Sequence, residues 1–102
     1  MPYEQCCPRY EAAVQLLGKR WTGLIIRALM VGPRRFRDLQ QYIPALSDRL
    51  LSERLKELEQ AGIVRRTVYP ETPVRVEYSL TERGLALEPV VAAIQHWAEQ
   101  WL

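Results

Sequence analysis

Two cysteines and one histidine are the whole supply of cysteine and histidine metal ligands in these 102 residues. A disulfide framework is therefore excluded, and a zinc site would have to use nearly every candidate ligand. Catalytic triads and thiol enzymes are disfavoured for the same reason, since a nucleophile at Cys6 or Cys7 has only His96 to serve as a base. Long apolar runs are missing as well. The longest extends from Val90 to Ile94, far short of the roughly 20 residues that a bilayer needs, and Met1 to Cys7 has no apolar leader core. No repeat, linker or low-complexity stretch breaks the chain. The expectation is a soluble cytoplasmic protein that is not an enzyme, needs no cofactor or metal and has no membrane partner.

What is present is a 48% hydrophobic, 25% charged composition, suited to one folded domain over residues 1–102 with a single core. The net charge of +2 conceals an uneven distribution. Residues 19–80 carry 12 basic and 7 acidic groups, and both ends are net acidic. From Lys19 to Arg37 there are six basic residues and no acid, which points to a polyanion-facing surface.

Periodicity divides the chain into elements. Tyr10, Ala13, Val14 and Leu17 form a helical stripe behind Pro8, with Gly18 as its stop. Trp21, Leu24, Ile25, Ala28 and Leu29 form a second stripe that ends at Gly32-Pro33. Phe36, Leu39 and Ile43 predict a short third helix ended by Pro44. Ser47 can cap a fourth helix with Asp48 in its first turn and Leu51, Leu55 and Leu58 facing inward, as far as Gly62. Ile63 to Tyr69 and Val74 to Leu80 then read as a hairpin around Pro70-Glu71-Thr72-Pro73, with at least two registers open. Thr81 can cap a last helix with a broad apolar band (Leu87, Val90, Val91, Ile94, Trp97, Ala98, Trp101), kinked near Gly84 and Pro89.

This order predicts an α+β, mostly helical winged helix-turn-helix domain in which the fourth helix enters a DNA major groove. At 100° per residue, the side chains opposite the leucines are Arg49, Ser52, Glu53, Lys56 and Gln60. Arginine and lysine donate to guanine, glutamate accepts from cytosine, and Ser47 and Ser52 are short hydrogen-bonding groups for bases or phosphates. Arg34, Arg35 and Arg37 are placed to grip phosphate, and Arg65, Arg66 and Arg75 lie on the wing, where Glu77 is expected to neutralise one of them across the ladder. Arg54 falls on the flank, where an internal ion pair and a phosphate contact are both open. The bland alternative is a solvated helix face on a winged helix that binds proteins.

Cys7-Pro8, Leu17-Gly18-Lys19-Arg20-Trp21, Gly32-Pro33-Arg34-Arg35-Phe36, Leu51-Ser52-Glu53-Arg54-Leu55-Lys56-Glu57-Leu58-Glu59, the wing run Tyr69 to Tyr78, and Leu80-Thr81-Glu82-Arg83-Gly84 follow one another along the chain. Together they closely resemble the HxlR family of bacterial winged-helix regulators, relatives of the MarR proteins. The resemblance implies a homodimer held by the first and last helices, bound to a pseudo-palindromic double-stranded operator, which usually represses a neighbouring gene. It also implies a candidate redox role, because some members sense electrophiles or oxidants through a cysteine at the position of Cys7. Cys6 is additional. The cysteine that some relatives carry near the end of the last helix has no counterpart in Trp97 to Leu102, so within these residues the open chemistry is alkylation, mixed disulfides or pairing of N-terminal cysteines. A helix N-terminus beside Cys7, with Arg9, Lys19 and Arg20 nearby in sequence, favours a thiolate. The competing readings are an inert small thiol and a metalloid or thiol sensor without redox switching.

Overall fold

A computed structural model describes residues 3–102; Met1 and Pro2, the start of the segment read for a leader and of the 1–102 domain, lie outside the described residues. The elements are α1 (Pro8–Leu17), α2 (Thr22–Leu29), α3 (Phe36–Tyr42), α4 (Asp48–Gln60), β1 (Val64–Tyr69), β2 (Arg75–Leu80), α5 (Glu82–Leu85) and α6 (Glu88–Trp101).

The core is built where the inward stripes meet. Ile25, Ile26, Ala28 and Leu29 of α2 pack with Leu39, Ile43 and Leu46, with Leu51, Leu55 and Leu58 of α4, and with Ile63, Val64 and Leu80 from the base of the hairpin. Both ends of α4 are closed by local chemistry. Ser47 Oγ accepts from the Leu50 N–H at 3.2 Å. At the other end Gly62 takes φ +75°, and the N–H groups of Gly62 and Ile63 return to the carbonyls of Glu59 and Leu58, the Schellman arrangement that glycine favours. Gln40 Nε2 donates to Asp48 Oδ1 at 2.6 Å, tying α3 to the start of α4 across the turn.

β1 and β2 pair antiparallel with Val64 opposite Leu80, Arg66 opposite Tyr78 and Tyr69 opposite Arg75, which resolves the register left open by the sequence. A third short piece joins their edge. The N–H of Arg34 donates to Tyr78 O and the Tyr78 N–H donates to Arg34 O, fastening the α2–α3 connection to the wing.

Two expectations need correction. Trp21 does not begin α2; it sits before it in the left-handed region at φ 79°, and Leu24, assigned to the inward stripe, is 43% exposed. The last helix is broken into α5 and α6 rather than kinked. Leu87 caps α6, where Pro89, at the second helical position, has no N–H to contribute to a continuous ladder from α5.

Thr81 holds the base of the wing. Its hydroxyl accepts from the Gly84 N–H and donates to the Gly62 carbonyl. Gly84 is buried, and a Cβ there would collide with the Ile63 carbonyl and press on Leu80. Gly84→Ala is therefore expected to destabilise the fold by about 2–3 kcal/mol, lowering Tm by roughly 10–20 °C. Thermal unfolding followed by circular dichroism checks this; a Tm within a few degrees of the native chain would show that the packing at α5 yields.

The outer helices are exposed. Neither α1 nor α6 contains a buried residue. α6 is anchored on the core through Leu87 and Val91, while Val90, Ile94, Trp97 and Trp101 stand in solvent. The resulting shape is long, 55 × 29 × 23 Å, with a radius of gyration of 15.1 Å where a compact chain of this length has about 13 Å.

Candidate nucleic-acid interface and thiol groove

α4 presents the face that its leucine stripe dictates. Arg49, Glu53, Lys56 and Gln60 are exposed and Ser52 is half-buried. Ser52 and Lys56 share a groove of about 410 Å³ with Leu55, Glu59, Arg66 and Tyr78, so the wing forms one wall and α4 the other. The inclusion of Arg66 follows from the strand register, which puts it opposite Tyr78. Sequence patterning could not place it there, because the alternative register turns every wing side chain to the opposite face.

Among the described residues, Arg35, Arg37, Arg49, Lys56, Arg65 and Arg66 make no side-chain ion pair. Arg35 stands at the N-terminus of α3, where its own N–H donates to Asp38 Oδ2 at 2.9 Å. It also lies close enough to the wing turn for its charge to help hold the Glu71 carboxyl down. Arg37 follows on α3, one residue inside it. Ser47, expected both to cap and to touch DNA, uses its hydroxyl oxygen as the α4 cap while the residue stays exposed.

Other arginines are committed to the fold. Arg34 Nε donates to the Ala28 carbonyl at 2.9 Å and the guanidinium lies over Tyr42 at 5.3 Å, in addition to its backbone pairing with Tyr78. Arg75 is gripped on both sides. Its guanidinium pairs with Glu71 at 2.9 Å and with Glu77 at 2.7 Å and stacks on Tyr69 at 3.9 Å. The Glu71 carboxyl is accordingly held below the usual carboxylate range, first by the Arg75 hydrogen bonds, against a smaller desolvation effect, and the Arg75 guanidinium is raised in turn, chiefly by its bond to Glu71. Glu77 thus neutralises a wing arginine, but along its own strand; across the ladder it faces Thr67. Arg54 takes the internal option, donating to the Arg20 carbonyl at 3.1 Å and pairing with Glu57 at 3.4 Å. The acidic partners lie close in sequence, Glu71 and Glu77 beside Arg75 and Glu57 three residues after Arg54, whereas the Ala28 and Arg20 carbonyls are brought in by packing.

Cys7 is the residue at which the chain turns into α1. Its carbonyl accepts the Glu11 N–H at 3.0 Å, and its side chain makes no capping hydrogen bond. It is half-buried, whereas Cys6 is exposed, and both thiols are free. Both line an open, largely apolar groove of about 620 Å³ with Tyr3, Tyr10, Val14 and Glu11. A flat aromatic molecule entering this groove would meet two tyrosine rings and a thiol at a helix start, where the N–H groups of the first turn have no helical partners.

Comparison with known proteins adds the following. Residues 16–102 match the family described as HxlR-like helix-turn-helix. The HTH-type transcriptional regulator YvaP of Bacillus subtilis (strain 168) is 52% identical over 102 residues, covering 100% of this chain and 94% of its own. The HTH-type transcriptional regulator YodB from the same organism is 57% identical over 95 residues, 93% of this chain and 85% of its own. The reduced form of YodB superimposes with a TM-score of 0.85 at 56% identity, covering 95% of each chain, and YodB has also been solved diamide-treated and quinone-bound. The redox regulator HypR in its reduced form superimposes with a TM-score of 0.86 at 38% identity, covering 90% of this chain and 91% of its own.

Proposed function

The chain belongs to the HxlR-like helix-turn-helix family of transcriptional regulators, and from that premise we propose that it acts as a homodimeric repressor on an inverted-repeat operator, with Cys7 as its regulatory thiol. It works in the cytoplasm and turns over no substrate. Each protomer sets α4 in the major groove. Arg49, Glu53 and Lys56 read base edges, Ser52 and Ser47 support them, and Arg35, Arg37, Arg65 and Arg66 hold the phosphates on either side. The observation that carries this reading is the exposed Arg49–Glu53–Lys56 face of α4, lying beside a wing whose Arg66 shares its groove. A solvated helix face on a protein-binding domain would have no need of flanking basic side chains that lack internal partners.

The second copy is supported by α1 and α6. Their apolar side chains, Tyr10 and Val14 on one and Val90, Ile94, Trp97 and Trp101 on the other, are exposed in the single chain. A two-fold pair places two recognition helices about 34–36 Å apart, one turn of DNA. Electrophile sensing is supported by the groove at Cys7 and by the existence of a quinone-bound form of the similar YodB. Addition of the Cys7 thiolate to a quinone ring carbon forms a C–S bond, and protonation leaves an arylated thioether in hydroquinone form. An oxidant such as diamide instead takes two electrons from two thiols to make a disulfide, with Cys6 or Cys7 of the second copy as the available partner. A disulfide between adjacent cysteines of one chain is disfavoured by geometry.

Selection from a random DNA library followed by footprinting tests the reading. An inverted repeat with half-site centres about ten base pairs apart is expected. Recovery of no preferred sequence would overturn it. On the selected operator, Arg35→Ala should weaken binding to all DNA sequences alike and flatten the slope of log K against log salt by roughly 0.9, one phosphate contact. A loss confined to one base position would move Arg35 from phosphate to base recognition.

A further inference from the structure

The corner between α1 and α2 is fastened to the back of the reading helix. Lys19 Nζ reaches Glu57 Oε2 at 3.0 Å, Arg54 Nε donates to the Arg20 carbonyl at 3.1 Å, and the Arg54 Nη1 group lies 3.4 Å from both oxygens of Glu57. Three consecutive corner residues take part in this arrangement. Lys19 supplies a charge, Arg20 supplies a carbonyl and stacks its guanidinium 4.5 Å from the Trp21 ring, and Trp21 holds the left-handed conformation that turns the chain into α2. A bulky aromatic residue in that region is strained and persists only where its surroundings over-determine it. The Arg54 side chain is only 16% exposed, and its contact with Glu57 is partly buried, while its bond to the Arg20 carbonyl lies at the surface.

These contacts matter because α1 has little else to orient it. It contains no buried residue and meets the core only at its last turn, through Leu16 and Leu17. Its other end, with Cys7, adds no residue to the core, so its position follows the angle set at the corner. A helix of 10 residues is about 15 Å long, so a rotation of about 5° at the corner displaces the Cys7 end by about 1.3 Å.

We propose that Arg54 is a positioning residue that fixes the angle between α1 and α4, so that motion at the α1 face is delivered to the helix that reads DNA. The fork of its guanidinium is essential to this role. One arm grips a main-chain carbonyl of the corner while another grips Glu57, which in turn holds Lys19. Lysine in its place offers a point charge to Glu57 and cannot hold both partners in that fixed geometry. The consequence for DNA rests on the dimeric reading above. With α1 in the dimer contact, the α1–α4 angle sets the separation of the two recognition helices and therefore the tolerated half-site spacing.

The intramolecular claim is tested without relying on the dimer. In a Cys6→Ser, Cys7→Ser background, nitroxides at Ala12→Cys on α1 and Gln60→Cys at the end of α4 report their distance by pulsed electron paramagnetic resonance. The labelled chain is diluted in unlabelled chain so that only pairs within one protomer are seen. Arg54→Gln is expected to broaden the distance distribution at least about twofold, and Arg54→Lys to leave it broad. An unchanged width in Arg54→Gln, or restoration of the native width by lysine, overturns the proposal. Should Arg54→Gln fail to fold, the paired changes Lys19→Gln, exposed, and Glu57→Gln, half-buried, carry the same expectation of broadening, and an unchanged width there is equally contrary. On DNA, Arg54→Gln should lose several-fold of the native preference for the selected half-site spacing over one altered by a base pair, with affinity for a single half-site held within about twofold. Equal loss on every site would make Arg54 a structural residue only. A monomeric protein in sedimentation would refute the dimer while leaving the α1–α4 distances to decide the role of Arg54.

Discussion

Ile94→Asp is expected to yield a folded monomer whose affinity for the operator is lower by at least about a hundredfold. Ile94 is 64% exposed and is absent from the core, so the single chain loses little packing when it is replaced. In the proposed dimer the same position falls in the middle of the apolar face formed by Val90, Ile94, Trp97 and Trp101, where a carboxylate would be taken out of water without a partner. Without the pair, the two half-sites no longer bind as one. Sedimentation and gel shift on the same preparation measure both effects. A dimer that survives Ile94→Asp with operator affinity intact would place the interface elsewhere.

The second large effect is expected at Cys7. Treatment with a quinone or with diamide should lower operator affinity of the native chain by about 5–150-fold, the usual range of coupling between two sites in one protein. In Cys7→Ser the same treatment should change it by less than twofold. Dithiothreitol should reverse the diamide effect, because it reduces a disulfide, and leave the quinone effect in place, because it does not cleave a thioether. Cys6→Ser should keep the quinone response, since Cys6 is the more exposed thiol but does not occupy the start of α1. If Cys7→Ser releases DNA on treatment as the native chain does, Cys7 is an inert small residue at a helix cap.

The readable and unreadable parts of the sequence divide along physical lines. α4 was legible to the residue because its signals are local: a serine cap at Ser47, leucines at helical spacing, and a glycine that takes positive φ at its end. The outward face of α4 follows from the same periodicity. The internal partners of Arg34, the Ala28 carbonyl and Tyr78, have no sequence signal because tertiary packing brings them to it. Arg75 is partly readable, since Glu77 is expected to neutralise a wing arginine, whereas the turn that bends Glu71 back onto it has no such signal. Hairpin register, and with it the place of Arg66, stayed open because β-branched residues occur on both faces of the strands. Trp21 gave no sign of its left-handed backbone, since nothing in a tryptophan side chain favours that region.

Base reading by α4 is tested most directly by measuring Arg49→Ala against a panel of operators, each altered at one base pair, and against random DNA. The expected result is a loss of about 1–3 kcal/mol that appears on the native operator and vanishes when one particular base pair has already been changed, with binding to random DNA nearly unaffected. Equal losses on the native operator, on every altered operator and on random DNA would contradict it, and would make the exposed face of α4 a phosphate-binding surface that carries no sequence information.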